Sequence, residues 1–181
     1  MRRGELCGLT WADIDFEKSI IHIQRSSLYL ADKGIFEDET KNATSRRSIK
    51  VPTDAMRALQ LFQEWQDQQI YLLGDQWQAS GRVFTSWNGA PIQPDTISGW
   101  FSHFIVKHNL PDISLHSLRH TNATLLIAAG TNLQTVAARL GHSSINTTAK
   151  IYAHAIQAAD AAAADTLQDL LHPLAQLKKD A

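Results

Sequence analysis

Hydrophobic positions near the N-terminus of the chain alternate with polar ones. Residues 19–27 (SIIHIQRSS) carry three isoleucines and alternate toward their end, which is typical of a β-strand. Segments 34–41 (GIFEDETK) and 45–52 (SRRSIKVP) flank the short polar connection NAT, and this arrangement predicts a β-hairpin. Together the three segments predict a small three-stranded antiparallel sheet near the N-terminus.

From residue 53 onward, apolar residues recur mostly at helical spacing. A loop is expected over 74–95, apart from a short VFTS segment, and a short helix is expected to hold TTAKIYAHA. An Ala-rich helix is predicted after it and is expected to stop at Pro173. The longer helices are predicted at 53–73, 95–110, 114–130, 132–140 and 156–171. The pattern therefore predicts a mainly helical α+β domain with a small sheet near its start.

The N-terminal stretch MRRGELCGLTW enters a helical pattern at once. Leu6 and Leu9 share one face, and neither a cap nor a preceding turn is visible in the sequence. We therefore expect an N-terminally truncated domain over 1–155, followed by a C-terminal helix and tail over 156–181.

Composition narrows the class of protein. With 181 residues and 44% hydrophobic content, the chain is long and apolar enough to form one domain with a hydrophobic core. Lys+Arg 17 against Asp+Glu 18 argues against a uniformly basic nucleic-acid coat but leaves room for a local basic face. The single cysteine, Cys7, excludes a disulfide framework and a thiolate zinc site. No long apolar run and no signal peptide stand in the sequence, so we expect a cytoplasmic protein without a membrane partner.

Chemistry-bearing residues concentrate in the stretch SLHSLRHTNATLL. His116 and Arg119 are three apart and share a helix face. Guanidinium forks match phosphate oxygens, and imidazoles handle protons near neutral pH. A tyrosine can attack phosphorus if nearby cations or a base activate it. The set suits phosphoryl transfer and lacks the carboxylate cluster of a magnesium enzyme. The further candidates are Arg2, Lys41, His142 and Tyr152.

The order of these residues resembles the catalytic domain of the tyrosine recombinase, or phage integrase, family. RRGELCGLTWADID is similar to the first box of that family, with Glu three positions after an arginine. TKNATSRRSIKVP is similar to its lysine-bearing hairpin. The stretch from HSLRH to IYAHA is similar to its second box, with H-x-x-R, then L-G-H, then a tyrosine ten residues past that histidine. The resemblance covers almost all of 1–155.

The resemblance implies a site-specific recombinase that cleaves and rejoins DNA through a 3′-phosphotyrosyl bond, without metal, ATP or other cofactor. The implied partners are double-stranded DNA and other protomers assembled on it. In this resemblance the two arginines hold the scissile phosphate, the lysine protonates the 5′-oxygen, the two histidines handle protons and hydrogen bonds, and the tyrosine is the nucleophile. These implied catalytic residues are Arg2, Arg119, Lys41, His116, His142 and Tyr152, with Glu5 in support.

Several alternatives remain open at this level. Arg46 and Arg47 are candidates for DNA contact or for a solvated strand face. His120 has no catalytic counterpart in the family motif and is interpreted as structural. His116 and His120 also have a zinc-ligand spacing, but no Glu stands between them as a general base. A type IB topoisomerase uses similar chemistry, and the short hairpin with L-G-H favours a recombinase over it.

Two further questions concern the chain as a whole. A truncated, inactive fragment that only binds DNA or a partner chain is the alternative function. The apolar stripe of the last helix is expected either to fold back on its own domain or to dock on a neighbouring protomer, with a largely monomeric protein in the absence of DNA. That stripe consists of Ile156, Ala159, Ala163, Leu167, Leu170 and Leu171.

Overall fold

The computed structural model describes residues 1–39 and 46–177, and it divides into two compact units, Met1–Arg119 and His120–Ala181. The mainly helical α+β class is confirmed, with seven α-helices in the described ranges. They are α1 (Arg3–Gly8), α2 (Thr53–Leu73), α3 (Pro94–Lys107), α4 (Leu115–Ala128), α5 (Leu133–Leu140), α6 (Ile145–Ile151) and α7 (Ala153–Leu177). The division between the units falls within α4. In the described ranges no helix is both long enough and apolar enough to cross a membrane.

The strands of the first unit form two small antiparallel sheets. They are β1 (Ile14–Asp15), β2 (Ile20–Ile23), β3 (Arg25–Leu30), β4 (Gly34–Glu39) and β5 (Arg47–Lys50). One sheet has the order β1-β2-β5, and the other consists of β3 and β4. Short helical turns, Trp11–Asp13 and Gly74–Gln76, and two isolated bridges complete the unit.

The predicted pairing of 34–41 with 45–52 is wrong for the part of the chain described. Strand β4 pairs with β3, from Arg25 opposite Glu39 to Leu30 opposite Gly34, whereas β5 pairs with β2. The reason is a tight local turn between β3 and β4, together with charge pairs. The carboxylate of Glu37 on β4 lies 3.7 Å from the Arg25 guanidinium on β3 and 2.8 Å from Arg82.

The core of the first unit forms between the β1-β2-β5 sheet and helix α2. Trp11, Phe16, Phe62 and Phe84 surround its buried aliphatic residues. Those buried residues are Leu9, Ile14, Ile21, Ile23, Met56 and Val83. Helix α1 packs closely against β3. A Cβ at Gly4 would lie only 2.9 Å from the Ser27 carbonyl oxygen, so a residue without a side chain is needed there. The glycine therefore fixes the position of the segment that carries Arg2 and Glu5.

Helices α5, α6 and α7 and most of α4 form the second unit. Its buried core consists of Ala123, Ile127, Val136, Leu140 and Tyr152. Asn132 caps α5 by accepting a hydrogen bond from the Gln134 N–H at 2.8 Å, and Gly141 ends it in the left-handed region at φ 66°.

The last helix differs from its prediction at both ends. It begins at Ala153, directly after Tyr152, and continues through Pro173 to Leu177. Proline removes one backbone donor and strains a helix by about 3 kcal/mol, which disfavours a helix without forbidding it. No loop separates Tyr152 from α7, so the position of the tyrosine is tied directly to that helix.

Candidate active site

A carboxylate at the start of α1 holds two arginines. The backbone N–H of Arg2 donates to Glu5 Oε2 at 2.6 Å, and its side chain donates to Oε1 at 3.0 Å. Arg47 on β5 donates two further hydrogen bonds to the same carboxylate, at 2.9 and 2.8 Å. Helix α1 is thus capped by Glu5, so the expectation of an uncapped N-terminus is wrong.

The charges of this cluster favour an anionic ligand. Burial alone raises the pKa of Glu5, but the hydrogen bonds from Arg47 and from the Arg2 backbone outweigh it and bring that pKa to about 2. Glu5 is therefore ionised at neutral pH, and one negative charge faces two guanidiniums. The Arg2 side chain keeps 43% of its surface exposed, so a cation at this position remains accessible to solvent.

Arg47 does not lie on a solvated face of strand β5. Its side chain is only 7% exposed and its terminal nitrogens donate to Glu5, and its contact with DNA stays a prediction. A bidentate arginine–carboxylate pair of this kind orients its carboxylate. Arg46 beside it is exposed, and its contact with DNA stays a prediction.

The first half of α4 carries the predicted His116 and Arg119. Arg119 is buried at 7% exposure, whereas His116 is exposed and lines a cleft of about 330 Å³ with Arg3, Ser98 and Ser102. The two are three positions apart, which places them on adjacent points of one helix face.

The electrostatics of the N-terminal amino group show that these cations share one region. Burial lowers the pKa of the Met1 amino group to about 6, and the charge of Arg119 is the next largest cause. Arg47 and Arg2 lower it further, and only Glu5 raises it. The structure therefore brings Arg2 and Arg119, from opposite ends of the unit, into one electropositive neighbourhood around Glu5.

Tyr152 lies in the core of the second unit and is 5% exposed. It stands at the end of α6, where its N–H donates to the Thr148 carbonyl oxygen at 3.0 Å, and its own carbonyl accepts from the N–H of Ile156. The phenolic oxygen lies 2.8 Å from His120 Nδ1, and the two ring centroids are 5.6 Å apart. The hydroxyl of the predicted nucleophile thus has a histidine partner.

His142 follows the left-handed turn at Gly141. Its N–H donates to the Ala137 carbonyl oxygen at 3.1 Å, which closes the end of α5. Its Nδ1 lies 2.8 Å from Thr148 Oγ1, and Thr148 is fully buried. One threonine therefore contacts both predicted residues, with its hydroxyl on His142 and its carbonyl on the Tyr152 backbone.

Sequence reasoning missed His120 and Thr148 as neighbours of the predicted site. His120 has no catalytic counterpart in the family motif, yet its Nδ1 contacts the Tyr152 hydroxyl. The signal was available in the helical spacing, because His120, Ala123 and Ile127 are at i, i+3 and i+7, and the last two are buried. Lys41 lies outside the described residues. Among those described, no group of three or more His, Cys, Asp or Glu could hold a metal, so the zinc alternative lacks a third ligand there.

Comparisons with known proteins agree on one relationship. The model of the phage integrase family matches residues 1–158. A XerC-like tyrosine recombinase of Caldanaerobacter subterraneus is 33% identical, over 94% of this chain and 46% of that protein. The ICEBs1 integrase of Bacillus subtilis is 31% identical over the same shares, 94% and 46%. The chain thus spans about half the length of the curated relatives it matches.

Solved structures give the same result. The Tn1549 transposon integrase in complex with transposon right end DNA superimposes with a TM-score of 0.76 at 29% identity. That match covers 93% of this chain and 55% of the integrase. A second structure of the same integrase, with circular intermediate DNA, gives a TM-score of 0.75.

Proposed function

Because this chain belongs to the phage integrase family of tyrosine recombinases, we propose that it cleaves and rejoins DNA strands through a 3′-phosphotyrosyl intermediate formed on Tyr152. The observation that carries the proposal is the shared electropositive region of Arg2 and Arg119 around Glu5. A region of that kind, in a member of this family, fits the phosphate between two nucleotides.

The charge of the arginines supports a reaction that needs no metal ion. In phosphoryl transfer, catalysis consists mainly of positioning the groups and stabilising charge on the nonbridging oxygens. Guanidiniums of Arg2 and Arg119 supply that stabilisation, and each can bind two oxygens at once. Glu5 holds Arg2 in place and neutralises only part of the local charge.

The proposed step balances in atoms and protons. The Tyr152 oxygen gives its proton to a base beside it and forms a bond to phosphorus, while the bond from phosphorus to the 5′-oxygen breaks. Lys41 gives a proton to that leaving oxygen, and His116 and His142 donate hydrogen bonds to the phosphate. Rejoining reverses the step, with a 5′-hydroxyl attacking the phosphotyrosine.

Double-stranded DNA and other protomers of the recombinase assembled on it are the proposed partners. The Tn1549 integrase structures contain transposon right end DNA and circular intermediate DNA, which supports DNA as the ligand of this fold. We propose a cytoplasmic location for this chain.

Covalent capture on random duplexes tests the function, because no target sequence has to be specified. The protein is incubated with a library of nicked random duplexes in excess chelator, and protein–DNA adducts that resist detergent are collected. We expect adducts from the wild type, none from Tyr152→Phe, and unchanged yield from Tyr71→Phe, which alters a tyrosine that is 87% exposed. Adducts that form only with magnesium, or that persist in Tyr152→Phe, would contradict the mechanism.

The alternative function is binding to DNA or a partner chain without cleavage. The same library separates the two functions. Retention of duplexes on the protein without any detergent-resistant adduct would favour the binding role.

A further inference from the structure

His120 contacts the hydroxyl of Tyr152 and has no role in the family motif. We propose that His120 is the general base that takes the phenolic proton when Tyr152 attacks phosphorus. This inference rests on the proposed function, in which Tyr152 is the nucleophile.

The geometry already has the separation that proton transfer needs. His120 Nδ1 lies 2.8 Å from the Tyr152 oxygen, which is hydrogen-bonding distance. Tyr152 is 5% exposed, so bulk water has little access to its side chain in this conformation. His120 therefore stands where a proton acceptor for the hydroxyl within the protein would lie.

Packing holds both rings in place. Ala123 and Ile127 follow His120 along one face of α4, and both are buried in the same core as Tyr152. The Tyr152 backbone is fixed on one side by the Thr148 carbonyl and on the other by the N–H of Ile156. The contact between the two side chains is therefore preorganised, which is what a general base requires.

Imidazole is the side chain best suited to exchange protons near neutral pH. For Nδ1 to accept, the ring proton must lie on Nε2. As the bond from the Tyr152 oxygen to phosphorus forms, the O–H bond breaks and its proton passes to Nδ1. The bond to the 5′-oxygen breaks, and the proton returns to the tyrosine on rejoining.

The other two histidines of the site have different surroundings. His142 Nδ1 lies on the Thr148 hydroxyl, which suits a residue that is held in orientation by that contact. His116 is exposed and lines the cleft beside Arg3. His120 Nδ1 lies 2.8 Å from the Tyr152 hydroxyl oxygen.

Nitrogen NMR of the protein alone tests the tautomer without any requirement for activity. Protein labelled with ¹⁵N-histidine is recorded above pH 8, where imidazoles are neutral. We expect His120 to show an unprotonated Nδ1 and a protonated Nε2, and the Nδ1 shift to change in Tyr152→Phe. A protonated Nδ1 that donates to the phenolic oxygen would overturn the proposal.

The rate of adduct formation provides a second test of the proposal. We expect His120→Ala to slow adduct formation by roughly 10²-fold or more and to remove the acidic limb of the pH–rate profile. Added imidazole should restore part of the rate in proportion to its free-base concentration. His154→Ala, which changes an exposed histidine two residues past Tyr152, should leave both rate and profile unchanged.

His120→Asn separates a base from a mere hydrogen-bond partner, because an amide can contact the hydroxyl but cannot take its proton. We expect a folded protein, verified by its thermal unfolding, whose rate stays as low as that of His120→Ala. Full activity in His120→Asn would overturn the proposal and leave His120 a structural contact. If the wild type forms no adduct at all, the proposed function fails and the base role of His120 fails with it, whereas a protonated Nδ1 beside adduct formation by the wild type overturns the base role alone.

Discussion

At the scale of single residues, Glu5 shows how one carboxylate arranges two cations. It caps α1 through the Arg2 N–H, holds the Arg2 side chain and pairs with Arg47. Removing a partner from a buried charge pair costs more than the pair itself contributes, because the remaining charge stays buried. Arg47 thus acts on Arg2 through Glu5, which makes it a positioning residue for the electropositive region.

The lowered pKa of Glu5 predicts how stability depends on pH. The carboxyl has a pKa of about 2 in the folded protein and 4.5 as its reference value. A depressed pKa contributes stability that is fully present above the reference value, so this contribution should be lost as pH falls from about 4.5 toward 2. Its size is on the order of 3 kcal/mol.

Tryptophan fluorescence measures this effect, because all five tryptophans lie within the first unit. Denaturant unfolding of Glu5→Gln should show lower stability at neutral pH and a weaker decline below pH 4.5 than the wild type. Glu64→Gln, at a glutamate on the surface of α2, is the matched control and should follow the wild type. Identical pH profiles for Glu5→Gln and the wild type would show that the Glu5 pair does not contribute to folding.

At the scale of elements, the turn after α5 determines the position of His142. Gly141 has φ 66°, and the next residue donates its N–H to the Ala137 carbonyl oxygen. A side chain in that region costs roughly 1–2 kcal/mol, with asparagine tolerated best. The glycine therefore fixes the start of the segment that leads to Tyr152.

We predict that Gly141→Ala destabilises the second unit by about 1 kcal/mol and lowers adduct formation, and that Gly141→Asn does so less. Gly130→Ala is the control, since Gly130 also has a positive φ of 76° and open space around it. It should cost similar stability while leaving the adduct rate per folded molecule unchanged. Equal loss of that rate in both variants would mean that the Gly141 turn has no special effect on His142.

At the scale of the whole molecule, the first turns of the C-terminal helix fold back on their own unit, and docking of its stripe on a neighbouring protomer stays a prediction. Ala155, Ile156 and Ala159 pack on the core of their own unit, so the first turns fold back in cis. Leu167, farther along, is 57% exposed. Stable protein interfaces bury about 1,600 Å² in total, which a short Ala-rich stripe does not supply.

We therefore predict a monomer in solution without DNA, across micromolar concentrations. Light scattering over a concentration series measures it directly, and Leu167→Ser should leave the mass unchanged. A dimer that Leu167→Ser dissociates would instead identify the exposed stripe as a stable contact between protomers.

The sequence by itself determined those features that depend on neighbours along the chain. Helical spacing predicted α2 and α5 nearly to the residue, and Gly141 marked the end of α5, because periodicity and caps are local properties. The ordered motif from His116 to Tyr152 was likewise readable, and the family membership it implied is confirmed. The catalytic roles of the individual residues stay predictions.

Tertiary structure decided what depends on distant partners. Nothing local selects β2 rather than β4 as the neighbour of β5, because strand pairing follows from packing and cross-strand charges. The polarity of Arg47 predicts an exposed side chain. In the fold it is buried, because it pairs with the carboxylate of Glu5, forty-two positions away. His120 had no counterpart in the motif, and only folding brought its imidazole to the hydroxyl of Tyr152. The sequence shows that a side chain is polar, whereas its hydrogen-bond partner depends on which distant residues the fold brings next to it.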